Sequence, residues 1–271
     1  MTNKYLARDD APFDAEIWEK LDAAMVETAK HQLVGRRLLD IDGPFGIGLK
    51  SIPSGDTETE SGLLVSTTLP VVMLQKMFTL GVRDLANYER DGTVLNRQPI
   101  VEAARACAKM EDDLVFNGLK TDTATVPGLL NLPEALSLKL LEWEETGTAA
   151  SAIMQAITLL DEAGYHGPYA LALAPRRYNL LFRRYPQGNQ SELDHIKSMV
   201  TEGIYKAPVL QGEGAVGGVL LASGRQYASL VMGQDLSIGF IGPVGDKFEF
   251  SMTESLALRV HQPQAICVLE A

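Results

Sequence analysis

The stretch from Ile47 to Phe78 constrains the fold of this chain most strongly, because it predicts a hairpin that cannot be stable alone. Two β-like runs, Leu49–Ile52 and Leu63–Leu69, flank the polar tip Ser54–Gly62. An isolated two-stranded hairpin is marginal in water and needs another surface to pack against. This hairpin has few apolar side chains to bury within its own subunit, so we expect it to lie against a neighbour. A loose surface loop is the alternative.

The composition narrows the class of protein further. The 271 residues are enough for one large domain or two ordinary ones, and 46% are hydrophobic, as in soluble globular proteins. Cys107 and Cys267 form no disulfide framework, which suits a reducing cytoplasm. The first residues lack the apolar region of a signal peptide, and no apolar run is long enough for a membrane span. The net charge of −11 disfavours a nucleic-acid partner.

Local signals predict several helices. Asp14 is the expected cap of a helix that runs to about Leu33 and ends at Gly35, and Arg36–Ile41 follows as a strand or extended segment. Pro99 opens a second helix, which reaches Asn117 with Gly118 at its C-terminal end. Other predicted elements are a helix from Thr148 to Gly164, a buried strand Tyr169–Leu173, a helix after Pro175 and one capped by Ser191 with Asp194.

The last quarter of the chain is rich in β-like runs. They lie at Val219–Ala222, Tyr227–Met232, Leu236–Phe240, Lys247–Met252, Ser255–Val260 and Ala265–Leu269. Helices and strands are thus segregated instead of alternating, which indicates an α+β fold.

Motifs for catalysis or cofactor binding are weak. Gly212–Gly217 matches the dinucleotide pattern but is followed by a β-like run, not by the required helix. Glu192 and His195 have the spacing of a di-iron ligand pair, but such a site needs a second pair. We therefore expect no metal and no catalytic residues, and an intrinsic hydrolase is disfavoured.

An ordered set of motifs nevertheless resembles one family, the encapsulins, which are shell proteins of bacterial nanocompartments and are also called linocin-type bacteriocins. The two main motifs are Gly35–Gly46 and Gly233–Phe240. Supporting matches follow in the order of the family: Leu6–Pro12, Phe78–Leu80, Glu89–Arg90, Glu111–Asp112, Phe116–Gly118, Gly164–Tyr169 and Thr253–Ser255.

This resemblance implies the fold of the tailed-phage major capsid protein. The expected parts are an N-terminal helix with the start of the P domain (1–46), the E-loop (47–78), the P domain with its spine helix (79–133), the A domain (134–223) and a β-rich close of the P domain (224–271). Copies of the chain are then expected to form an icosahedral shell, a virus-like particle that encapsulates cargo.

The resemblance also implies residues for cargo capture. In this family the inner wall of the shell binds a short C-terminal peptide of the cargo enzyme. The matching positions are Arg36, Asp40, Asp235, Leu236 and Ile238, although Arg36 and Asp40 could instead pair only with each other. Expected cargoes are a dye-decolorising peroxidase, a ferritin-like protein or a hemerythrin-like protein.

Two further expectations rest on the same resemblance. The loop around Arg184, Tyr185, Gln187 and Asn189 is expected near a pore of the shell. Arg83 lies where some relatives carry a Trp that stacks on a flavin ring, so no cofactor is expected. The alternatives to a compartment shell are a prophage capsid that packages DNA and, with less support, a secreted bacteriocin.

Overall fold

The computed structural model describes residues 4–92, 94–122, 124–186, 188–211 and 216–270. The α-helices are α1 (Ala15–Gln32), α2 (Gly35–Leu38), α3 (Val82–Asp91), α4 (Gln98–Asn117), α5 (Thr148–Glu162), α6 (Pro175–Leu180) and α7 (Glu192–Lys197). The strands are β1 (Asp40–Asp42), β2 (Ser51–Glu58), β3 (Leu64–Pro70), β4 (Val72–Gly81), β5 (Leu119–Lys120), β6 (Thr125–Val126), β7 (Leu136–Lys139), β8 (Tyr169–Leu173), β9 (Gly203–Lys206), β10 (Val216–Ala222), β11 (Ala228–Val244), β12 (Lys247–Val260) and β13 (Ile266–Glu270). Short 3-10 helices lie at Lys4–Leu6, Arg8–Asp10, Pro208–Leu210 and Pro263–Ala265.

These elements fall into two compact units. Unit 1 contains the residues up to Leu33, Gly43–Glu111 and Met232–Ala257. Unit 2 contains Val34–Asp42, Asp112–Val231 and the residues from Leu258 onward. Mixed helix and strand content in both units confirms the predicted α+β class.

The core of unit 1 lies between its sheet and its helices. Strand β4 runs antiparallel to β12, and the ring of Phe78 stacks on that of Phe250 with centroids 5.1 Å apart. Helix α1 contributes the predicted stripe of Ile17, Leu21 and Met25, all buried. Helix α4 contributes most of its predicted apolar face: Ile100, Ala103, Ala104 and Cys107 are buried in the same core, and Met110 packs at its edge.

The predicted hairpin arm is confirmed as strands β2 and β3, which pair only with each other. The turn between them spans residues 59–63 and is shorter than the predicted tip. Ile52 is the only residue of either strand that is buried. The arm therefore buries almost no apolar surface against its own subunit, as its polar sequence indicates.

Unit 2 is built on a five-stranded sheet in the order β7-β13-β10-β8-β9. Every residue of β8 is buried, which confirms the predicted strand at Tyr169–Leu173. The predicted capping box of α7 is also present, because Ser191 and Asp194 each accept a hydrogen bond from the other's backbone N–H. At the end of α4, Gly118 has a φ of +68°, and a Cβ there would lie 2.4 Å from the carbonyl oxygen of Val126. Only glycine fits this position.

Two local predictions are wrong. Helix α1 ends at Gln32, and Gly35 begins the separate helix α2, so Arg36–Leu38 is helical and only Asp40–Asp42 is a strand. Four of the β-like runs near the C-terminus form only two long strands, because β11 and β12 continue through the expected breaks. Helix α3 and strands β4, β5, β6, β7 and β9 were not predicted.

Candidate functional site

Helix α2, which carries Arg36, is positioned by a buried carboxylate. Both oxygens of Asp112 accept the backbone N–H of Val34, at 3.0 and 3.1 Å, and one also accepts that of Gly35 at 2.9 Å. The first N–H groups of a helix have no partner within it, so this side chain satisfies donors that would otherwise be buried without an acceptor. A Cβ at Gly35 would lie 3.0 Å from a methyl group of Val115, so glycine allows the close approach of α2 to α4.

Arg36 and Asp40 line one groove within unit 2. The groove has a volume of about 390 Å³, and its other wall consists of Pro168, Glu202, Ser223 and Gly224. Arg36 is half-buried and Asp40 is exposed. The structure thus places these two predicted residues in one groove, which Glu202 also lines.

Strand β1, on which Asp40 lies, is fixed by its last residue. Asp42 forms an ion pair with Arg225 at 3.0 Å, accepts a hydrogen bond from Ser229 at 3.1 Å, and pairs with Arg259. These partners lie on three different segments of unit 2, and β1 also pairs in parallel with β11 from Ser229 to Val231. Asp42 belongs to the motif Gly35–Gly46, but sequence reasoning assigned it no role.

The second predicted group, Asp235–Ile238, lies on β11 within unit 1. Asp235 is exposed, and its carboxylate accepts the backbone N–H of Leu236 at 2.8 Å. Leu236 is half-buried and packs against Ala29, Leu33 and Ala108. Asp235 and Leu236 are consecutive residues of β11, so their side chains point to opposite faces of the strand, one carrying an exposed charge and the other a half-buried apolar group.

Ile238 is placed differently from the other four residues. Its side chain is fully buried in the core of unit 1, so it does not reach the surface in this structure. Contact between Ile238 and a cargo peptide stays a prediction. A substitution at Ile238 would disturb the core and would not test the surface.

The predicted pore loop is held at its root by Glu192, considered above only as a metal ligand, and by Arg183, to which the sequence assigned no role. Glu192 is fully buried, and its carboxylate accepts the backbone N–H of Gly147 at 2.9 Å and that of Ala150 at 3.0 Å. Arg183 lies 3.4 Å from Glu192 and donates hydrogen bonds to the backbone oxygens of Trp143, Glu144, Glu145 and Leu180. Glu192 thus caps helix α5, where Thr148 was expected to act, and ties the loop to it.

The predicted loop residues themselves lie close to this root. The hydroxyl of Tyr185 is 2.9 Å from Nδ1 of His195, while Arg184 and Asn189 are exposed. Gln187 lies outside the described residues, as do Gly212–Ala215 of the glycine-rich motif. Among the described residues, no group of three or more His, Cys, Asp or Glu side chains is arranged to hold a metal ion.

Neither cysteine is arranged for nucleophilic chemistry. Cys107 and Cys267 are both buried, and burial raises the pKa of each thiol to about 12. At neutral pH both are therefore protonated, whereas the thiolate is the reactive form.

Unit 1 contains a larger groove of about 940 Å³ beside strand β4. Its lining includes the cations Lys76, Arg83 and Lys247 and the buried residues Phe78 and Leu80. No Trp belongs to this lining. The expectation that no cofactor binds stays a prediction.

We expect Glu192→Ala to lower the melting temperature of the assembled protein by roughly 10 °C. The change leaves one buried N–H group, one partly buried N–H group and Arg183 without this acceptor, which costs about 3–5 kcal/mol. Glu192→Gln retains an acceptor oxygen, so its melting temperature should fall much less. Circular dichroism during heating measures both, with the exposed Glu162→Ala on α5 as the control. Equal melting of Glu192→Ala and the control would contradict this assignment.

Solved structures similar to this chain define its fold. A virus-like particle protein from Pyrococcus furiosus superimposes with a TM-score of 0.74 at 23% identity, covering 94% of this chain and all of that one. The capsid protein of Myoviridae phage XM1 follows with a TM-score of 0.64 at 15% identity, over 86% of this chain and 89% of that one. The chain therefore has the fold of a tailed-phage capsid subunit, as predicted.

Sequence comparison then identifies the family. Residues 2–257 match the linocin M18 family, described as encapsulating protein for peroxidase. The type 1 encapsulin shell protein EncA of Myxococcus xanthus is 30% identical over 98% of this chain and 96% of its own length. A type 1 encapsulin shell protein of Rhodococcus erythropolis is also 30% identical, over 99% of this chain and its own full length. This chain belongs to the encapsulin shell proteins.

Membership in this family confirms that the chain is a structural shell subunit. Such subunits assemble into a multimer that encloses cargo. The prophage-capsid alternative is not favoured by the family match. No helix in the described ranges combines the length and apolar character that a membrane span requires.

Proposed function

We propose that copies of this chain close into a hollow compartment in the cytoplasm and capture an enzyme by a peptide at its C-terminus. The family match over residues 2–257 carries the proposal. The exposed arm β2–β3 supports closure, since it has little to pack against in its own subunit. The name of the matched family makes a peroxidase the first cargo class to test, followed by ferritin-like and hemerythrin-like proteins.

The capture chemistry follows from the residues at the two predicted groups. Leu236 offers an apolar contact for a Leu, Ile or Val of the peptide, and the exposed carboxylate of Asp235, which precedes it in the chain, can accept hydrogen bonds from a peptide backbone or from a cation. In unit 2, Arg36 and Asp40 offer one charge of each sign in a single groove. A peptide with apolar anchors and polar flanking residues matches both sets.

Co-expression tests the proposal directly. Three reporters are made, each a fluorescent protein followed by the C-terminal tail of a peroxidase, a ferritin-like protein or a hemerythrin-like protein from genomes that encode such a shell. At least one reporter should sediment with hollow spheres seen by negative-stain microscopy, and a reporter without a tail should not. Particles that exclude all three tails, or that hold nuclease-protected DNA, would overturn the proposal.

Arg36→Ala should reduce the amount of reporter in each shell by about tenfold while shells still form. The expected loss corresponds to about 1.4 kcal/mol, in the range of a hydrogen bond to a charged group. In-gel fluorescence of purified shells measures loading. Arg176→Ala is the matched control, because it removes the same charge from an exposed position of unit 2, on α6, that does not line the groove. If Arg36 only pairs with Asp40 to hold α2, loading per intact shell will not change.

A further inference from the structure

The side chain of Arg8 ties the N-terminal segment Lys4–Asp10 to two other elements of unit 1. The two terminal nitrogens of Arg8 donate to the two carboxylate oxygens of Asp22 on α1, each at 2.7 Å. Its Nε donates to the backbone oxygen of Ile238 on β11 at 2.8 Å. The guanidinium also lies 4.6 Å from the centre of the Trp18 ring. A single residue thus bridges α1 and β11.

The segment lies directly on the strand at this point. Leu6 is buried, and a Cβ at Gly239 would be 3.1 Å from the carbonyl oxygen of Leu6 and 3.4 Å from its Cα. A side chain at position 239 would therefore press on the segment. The absence of one lets the backbone of Leu6 approach β11 next to Ile238.

Helix α1 and strand β11 are also the elements that form the surface around Leu236. Leu236 packs against Ala29 and Leu33 at the C-terminal end of α1, while Arg8 joins Asp22 to Ile238 nearer its N-terminal end. The two contacts lie two residues apart on β11. Besides the core contacts of α1, Arg8 and Leu236 thus connect the helix to the strand at two separate points.

We infer that Arg8 is a positioning residue for cargo capture: it holds α1 and β11 in the arrangement that a peptide meets at Leu236. This inference rests on the proposed function. The ion pair is partly shielded, with side-chain exposures of 19% for Arg8 and 36% for Asp22, and its geometry is bidentate, which makes it stronger than a typical surface pair. A site that is ordered before binding gains affinity, because the peptide does not have to order it.

Loading of the reporters into Arg8→Ala, Arg8→Lys and Arg90→Ala shells tests this inference. Arg90 is the matched control, since it also forms an ion pair in unit 1 with an Asp, but at an exposed site on α3. We expect about tenfold less reporter per shell for Arg8→Ala, an intermediate value for Arg8→Lys, and no change for Arg90→Ala. Amide hydrogen exchange at Leu236–Ile238 should become faster in Arg8→Ala shells only.

The outcomes separate this inference from the proposed function. Unchanged loading per intact shell, with only a lower melting temperature for Arg8→Ala, would mean that Arg8 stabilises the fold and does not position the surface. That result overturns the inference and leaves cargo capture standing. If wild-type shells load no reporter, the proposed function fails instead, and the exchange rates still show whether Arg8 orders β11. Equal exchange in wild-type and Arg8→Ala shells would overturn the inference independently.

Discussion

Shortening the arm is expected to abolish shell formation and to leave free subunits or small oligomers. The variant replaces residues 54–67 by Asn-Gly, so that a tight turn joins Pro53 to Thr68, which lie opposite each other in the hairpin. The removed strand residues are all exposed, so unit 1 should fold as before. Subunit contacts made by the arm would be lost. Sedimentation and negative-stain microscopy measure the outcome.

A variant of unchanged length distinguishes the contribution of the arm's strands to assembly from the contribution of its turn. Replacing residues 59–63 by a Gly-Ser sequence of the same length removes the side chains of the turn but retains both strands. We expect shells from this control. If the shortened variant also forms closed shells of normal size, the arm is not required for assembly, and the exposure of β2 and β3 has another explanation.

The parts of the fold that could be predicted are those with local signals. The apolar stripe of α1, the proline that precedes most of α4, and the capping box at Ser191 each lie within a few residues of the structure they determine. The full length of strands β11 and β12 was harder to predict from the sequence. The predicted runs stop at Met232 and resume at Leu236, but a Cβ at Gly233 between them would lie 2.5 Å from Oγ of Ser255, so this glycine allows β11 and β12 to approach and does not end a strand.

The candidate site was harder still to predict, because its conformation depends on residues that are distant in the sequence. The helical conformation at Arg36 depends on Asp112, which is 76 residues further along the chain and caps α2 by hydrogen bonds to Val34 and Gly35. Glu192 caps a helix that begins 44 residues earlier. Neither partner is visible in a short window of sequence. The family motifs did include Glu111–Asp112, so the resemblance contained this information, although it did not say what the residues do.

Leu236→Asp is expected to remove nearly all cargo loading while shells remain intact. Leu236 is half-buried at the edge of the core, so an aspartate there can turn to the solvent, whereas an aspartate at the fully buried Ile238 would place a charge in the core. Burial of one Leu-sized side chain contributes about 1.5–3 kcal/mol, which corresponds to a loss of affinity of roughly 10- to 150-fold. The amount of reporter per shell measures the effect.

Two controls make this result specific to the apolar contact. Leu236→Met preserves volume and apolar character, costs less than about 1.5 kcal/mol, and should load almost normally. Val94→Asp adds the same charge to unit 1 at a side chain that is 95% exposed and should load normally as well. If all three variants lose loading to the same degree, the effect comes from general disturbance of unit 1. If Leu236→Asp loads like Leu236→Met, the peptide does not bind at Leu236, and the groove beside Arg36 and Asp40 becomes the place to look for it.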